Sequence, residues 1–112
     1  MTVSPTDIIT KALDALSIRY GFTAQNIANA NTPDYRPVHV SFEDQLRDAA
    51  TRGDDAVAQF HPETISDASD ARPMRLDLEL ASASQTAMRY RALVEVLARQ
   101  FALSRTLIEG GR

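Results

Sequence analysis

Residues 76–108 read LDLELASASQTAMRYRALVEVLARQFALSRTLI, and their spacing decides the fold. Leu76, Leu80, Ala83, Ala87, Tyr90, Val94, Leu97, Phe101, Ser104 and Ile108 recur at alternating steps of four and three, the period of a heptad seam. Leu93, Leu103 and Leu107 lie beside that seam and widen it. Pro73 stands before the run and Gly110-Gly111 closes it, the Pro-before, Gly-after asymmetry of a helix, so a helix is predicted over 76–109. At 1.5 Å per residue such a helix is roughly 50 Å long. A chain of 112 residues cannot bury a stripe of that length inside one compact core. The stripe demands a partner helix, in this chain or in another.

The N-terminus supplies a candidate. Ser4-Pro5-Thr6-Asp7 reads as a helix start, with Ser4 able to cap, Pro5 suited to the first helical position and Asp7 placed to favour the dipole. From there Ile9, Leu13, Leu16, Tyr20, Thr23, Ile27 and Ala30 keep the same four–three alternation. Gly21 interrupts at a cost of about 1 kcal/mol relative to Ala. A helix is predicted over about residues 5–30, ending before Asn31-Thr32-Pro33. The expected fold class is therefore all-α: two long terminal helices paired as an antiparallel coiled-coil hairpin within one domain.

Residues 31–75 differ in kind. They hold four of the five prolines and both histidines, and from Val38 to Arg75 eight acids face four Arg. Val38 to Phe42 alternates like a short strand, and Glu43 to Ala50 has room for two helical turns. Thr51 to Arg72 is polar and broken, and is expected to be a mobile loop. The middle segment is thus predicted to be irregular and partly β.

Composition excludes several classes of function. The absence of Cys removes disulfides, thiolate metal sites and thiol catalysis together. With 6% aromatic residues and abundant Ala, the chain suits close helix packing better than a deep ligand pocket. A net charge of −3 argues against nucleic acid as a partner, and Arg89, Arg91, Arg99 and Arg105 are spread around the last helix without interleaved aromatics. No apolar run approaches the roughly 18 residues that a membrane span needs. The first residues lack the basic and continuous apolar regions of a secretory signal, so any export is expected to use another route.

The search for chemistry returns little. His39 and His61 are 22 residues apart and form no metal-ligand spacing; both read as ordinary loop histidines. Glu43-Asp44, Asp54-Asp55 and Asp67/Asp70 could offer paired carboxylates, but in a Pro-broken polar stretch they read as a solvated face. Phosphate-binding glycine loops and the nucleophile-elbow pattern are missing from the sequence. No catalytic residue, metal or cofactor is expected.

One string is more specific than a helix stop requires. Asn26-Ile27-Ala28-Asn29-Ala30-Asn31-Thr32-Pro33-Asp34-Tyr35 places three Asn at a helix end, then a Pro turn and an aromatic. It resembles the N-terminal signature of the bacterial flagellar axial proteins, N-I-A-N-A-x-T-P-G-Y, through Asn26, Ile27, Ala28, Asn29, Ala30, Thr32, Pro33 and Tyr35. Leu16 and Arg19 upstream, and Val40 and Phe42 downstream, match the same pattern. The short middle segment, Leu76-Asp77-Leu78-Glu79, Tyr90, Arg99, Phe101, the Gly-Gly finish and the seven-residue step from Arg19 to Asn26 are similar to the proximal rod subunits of that family. Two positions depart. Asp34 stands where the family has Gly, implying a positive-φ turn that Asp tolerates with some strain, and Thr86 stands where the family has Asn, losing two amide donors.

The resemblance implies a structural role: assembly by helix packing into the rod of the basal body, which helps transmit torque from the membrane ring to the hook. Implied partners are other copies of the chain, other proximal rod proteins, the proteins at the membrane-ring junction, and the flagellar type III export gate. The location it implies is the periplasmic rod, reached by export from the cytoplasm. Phe42 and Leu46 fit the Phe-x-x-x-hydrophobic element that this gate recognises, and equally fit an amphipathic turn packing locally. The marginal stability of an isolated seam further suggests a monomer that is partly disordered and folds on incorporation. The alternative is a soluble helical adaptor or export-chaperone-like binding protein that uses its seam for one partner.

Overall fold

A computed structural model describes residues 3–66 and 74–110. Pro73, Gly111, Asp67 and Asp70 lie outside the described residues. The order is α1 (Pro5–Ala28), β1 (Val38–Ser41), α2 (Glu43–Arg52), α3 (Asp54–Ala58), β2 (Glu63–Ser66) and α4 (Leu76–Gly110). The chain is mostly helical, with a long helix at each end and one small sheet between them. Among the described residues, no helix is long and apolar enough to cross a membrane.

Helix α1 begins as its sequence dictates, with Ser4 extended and Pro5 at the first helical position. The Ser4 side chain makes no capping bond; its carbonyl accepts the Ile8 N–H at 3.2 Å instead. At the other end Asn29 closes the helix. Its Nδ2 donates to the Gln25 carbonyl at 2.9 Å, and its Oδ1 accepts the Thr32 hydroxyl at 3.0 Å. The chain then turns through Asp34 at φ +61°, the left-handed conformation expected there, which Asp adopts more readily than most residues.

The middle segment is more ordered than its composition predicts. α2 runs to Arg52, and the stretch expected to be a loop contains both α3 and β2. Val57 and Phe60 anchor it by burying their side chains, and the Lys11 ammonium donates to the Ala58 carbonyl at 3.0 Å, satisfying the end of α3. β2 pairs antiparallel with β1 in the register Val38↔Ser66, His39↔Ile65, Val40↔Thr64 and Ser41↔Glu63.

The core lies between α1 and this middle segment. Ala15 and Leu16 of α1 meet Val40, Phe42, Leu46 and Phe60, with Ile8, Ala12, Phe22 and Leu93 packed around them. α4 passes along α1 in the opposite direction. Asn26 meets Glu79, Leu16 lies with Thr86 and Ala87, and Ile8 and Ala12 lie with Ala92 and Leu93.

Both predicted seams need correction. On α1, Ile9, Leu16 and Thr23 are buried and Leu13 and Ile27 are half-buried, but Tyr20 is exposed, Ala15 and Asn26 are buried outside the seam, and half-buried Ala30 lies beyond the helix, which ends at Ala28. On α4 the correction is larger. Leu76, Leu80, Tyr90, Val94, Phe101 and Ile108 are all exposed, Ala83, Ala87 and Leu97 are half-buried, and the two buried residues are Glu79 and Thr86. The covered face is thus rotated from the apolar stripe toward polar and small side chains. Apolar counting cannot place a Glu and a Thr inside, yet those are the residues α1 covers. Residues 101–110, with Leu103 and Leu107 among them, are exposed throughout.

Candidate functional site

The most specific string in the sequence builds a buried polar clamp. Asn26 is fully buried at the C-terminal end of α1. Its Oδ1 accepts the Tyr35 hydroxyl at 2.9 Å and the Val38 N–H at 3.0 Å. Its Nδ2 donates to the Val38 carbonyl at 2.9 Å and to Glu79 Oε2 at 3.2 Å. Two donors and two acceptor sites are all that a side-chain amide possesses, so its capacity is filled. The four bonds join the end of α1, the turn after it, the start of β1 and the start of α4.

Glu79 is 5% exposed and shares its two oxygens between Asn26 and His39, whose Nε2 lies 2.8 Å from Oε1. His39, expected to be an ordinary loop residue, therefore ties β1 to α4. Its pairing partner Glu79 carries no signal in isolation. The clue was its place in Leu76-Asp77-Leu78-Glu79, where an acid stands on the helix face that heads the covered line.

A second cluster lies two turns back along α1. Arg19 grips Glu43 with Nη1 on Oε2 and Nη2 on Oε1, each at 2.7 Å. The same guanidinium donates to the Val40 carbonyl from Nη2 at 2.9 Å and from Nε at 3.3 Å. It also stacks over Phe42, 4.7 Å from the ring centre. Arg89 of α4 reaches Glu43 Oε2 at 3.2 Å. Glu43 stays exposed, as the sequence suggested, and in addition links α1, α2 and α4. Arg19 holds its carboxyl at about 2, against an ordinary value near 4.5, chiefly by hydrogen bonding, with partial burial opposing.

Together Asn26 and Arg19 bond three backbone groups on one edge of β1. The N–H and C=O of Val38 and the C=O of Val40 all point to α1, where side chains take the place of a neighbouring strand. Of the string that carried the resemblance, Asn26 and Tyr35 meet here, while Asn29 and Thr32 bond each other in the turn that follows α1. Ile27 and Ala30 are half-buried, Ala28 is exposed as the last residue of α1, and exposed Pro33 fixes the turn. Phe42 and Leu46 are buried in the core. Thr86 lines a groove between α1 and α4 with Leu16, Tyr20, Ala87 and Tyr90. Among the described residues, no three His, Asp or Glu side chains gather as they would to hold a metal. The chemistry of the site is the chemistry of joining: it fixes the position and rotation of elements.

No family model and no curated protein matches the chain.

Two outcomes follow from the clamp. Asn26→Asp keeps the acceptors for Tyr35 and Val38 but loses both donors and sets two carboxyl groups against each other, so it costs about 3 kcal/mol or more. Glu79→Gln in that background restores a donor and recovers at least about 1 kcal/mol in a double-mutant cycle read by urea unfolding; strict additivity would contradict the direct bond. An acid with a lowered pKa adds stability above its ordinary pKa and loses it as pH falls toward the lowered value. The wild-type chain therefore loses stability between about pH 4.5 and 2 through Glu43, and Glu43→Gln gives a less stable protein at neutral pH with a flatter acid profile over that window.

Proposed function

We propose that this chain is a structural subunit of the bacterial flagellum, a FlgB-type proximal rod protein of the basal body. In this reading α1 and α4 form an antiparallel coiled-coil hairpin, and the face that the hairpin leaves open packs against neighbouring subunits. The finished rod helps pass torque from the membrane ring to the hook. The observation that carries the reading is the open face itself. Leu80, Val94, Phe101 and Ile108 are exposed at whole-heptad spacings, with half-buried Ala87 filling the remaining heptad position. A repeating apolar stripe beside an already covered face suits a subunit awaiting neighbours far better than a finished monomer.

The hydrogen bonds of Asn26 with Tyr35 and of Asn29 with Thr32 support the family reading, because the polar residues of the string have structural tasks that apolar side chains would not perform. The partners are other copies, other proximal rod proteins and the membrane-ring junction proteins, met in the periplasm after export. Phe42 and Leu46 serve the type III export gate on this account. Their burial means that the gate reads them before the chain folds. The tip of α4, exposed from Phe101 onward, orders on incorporation. No catalysis, cofactor or nucleic acid enters this reading. The second reading, a soluble adaptor or export-chaperone-like protein, rests on the open groove lined by Leu16, Tyr20, Ala87 and Tyr90.

The double variant Phe101→Asp and Ile108→Asp tests the stripe. We expect unchanged folding of the monomer by circular dichroism, normal export, and basal bodies that carry a membrane ring without a rod. Rods that assemble normally with both charges in place would overturn the proposal. Secretion separates the two readings: a rod subunit leaves the cytoplasm only when the flagellar export apparatus is intact, whereas an adaptor stays inside.

A further inference from the structure

The two edges of the small sheet are treated very differently. β1 has its outer edge held by Asn26 and Arg19, and those bonds fix the direction of every backbone group in the hairpin. Because Val38 and Val40 point their groups to α1, His39 and Ser41 must point theirs to β2. In the observed register, His39↔Ile65 and Ser41↔Glu63 are therefore the hydrogen-bonded pairs. Thr64 and Ser66 then direct their N–H and C=O groups away from β1, to an edge that no other strand covers among the described residues. All four β2 residues are exposed, and Ile65, between the two outward residues, is a large aliphatic side chain 51% exposed.

We infer that β2 pairs antiparallel with β2 of a second copy of this chain, across a two-fold axis at Ile65, to make a four-stranded sheet. The geometry is self-complementary. With Ile65 facing its own copy, Thr64 of each strand pairs with Ser66 of the other, and every outward N–H and C=O of both strands is bonded. Ile65 then forms a non-hydrogen-bonded cross-strand pair, the kind that brings side chains closest. Shifting the axis to Thr64 places Pro62 opposite Ser66; Pro has no N–H, so both Ser66 carbonyls would lack a partner. In the Ile65 register the two Glu63 residues sit four positions apart along the strands, about 14 Å, beyond the Debye length of about 8 Å in physiological salt. Like charges therefore do not oppose the contact.

Four residues a side is far below the roughly 1,600 Å² of a standard stable interface, so the contact is weak in dilute solution. It stands on the edge geometry alone, whether or not the chain builds a rod.

The chain has no Cys, so single-cysteine variants of the full-length protein give a clean test. A non-hydrogen-bonded antiparallel pair has Cα atoms about 4.5 Å apart, within disulfide reach. Under mild oxidation Ile65→Cys should give a covalent dimer at least about tenfold faster than Glu63→Cys or Ser66→Cys, whose two-fold mates lie too far away. Adding Thr64→Pro removes an outward N–H without touching the β1 pairing, and should abolish that advantage while helicity is retained. If Thr64→Pro lowers helicity, Ser66→Pro serves the same purpose from the other outward residue. Equal cross-linking at all three positions, no cross-linking at Ile65→Cys, or an advantage that survives either proline in a folded chain would overturn the inference.

Discussion

The fold depends on one side-chain amide. Asn26 sits where α1 ends, and its four hydrogen bonds fix the turn through Tyr35, the start of β1 through Val38 and the start of α4 through Glu79. Burying a polar group costs free energy unless its bonds are made, and a half-satisfied network is worse than none. With every site on the amide used, only one arrangement of the three segments is permitted. No apolar side chain could impose that, because apolar contact has no direction.

The rotation of α4 follows. Glu79 must face Asn26, and Arg89 must reach Glu43. Those two constraints turn small and polar residues of α4 toward α1, and the apolar heptad stripe is left beside the contact instead of within it. The hydrophobic core forms elsewhere, between α1 and the middle segment. The molecule is therefore divided. A compact unit of α1, β1, α2 and α3 carries the buried apolar contacts, and a long helix is attached to it by polar clamps with one face open. This division is the physical content of the functional proposal: the open face is the product of a specific clamp, and a chain that needed only to be a stable monomer would have turned it inward.

The sequence made much of this legible, and its failures have physical causes. Both long helices could be read from period, Pro and Gly, and the strand at Val38 from alternation. Asp34 was expected at positive φ and is found there. The seam on α4 is not legible from apolar spacing, because the covered face is headed by Glu79 and Thr86. α3 and β2 were missed because five-residue helices and four-residue strands carry too little periodicity; only the burial of Val57 and Phe60 orders them. Asn26 was singled out by its string, but not its partners: Glu79 and His39 lie 53 and 13 residues downstream, where no local pattern connects them.

The central claim is that α4 is covered as far as its clamps and packing reach, and is unpartnered beyond. Amide hydrogen exchange on the free protein tests it most directly, because protection reports local opening residue by residue. The account predicts slow exchange at Val38 and along α4 from the turn after Glu79 to about Gln100, and fast exchange from Phe101 onward. Uniform protection along the whole of α4, or rapid exchange at Val38, would contradict it.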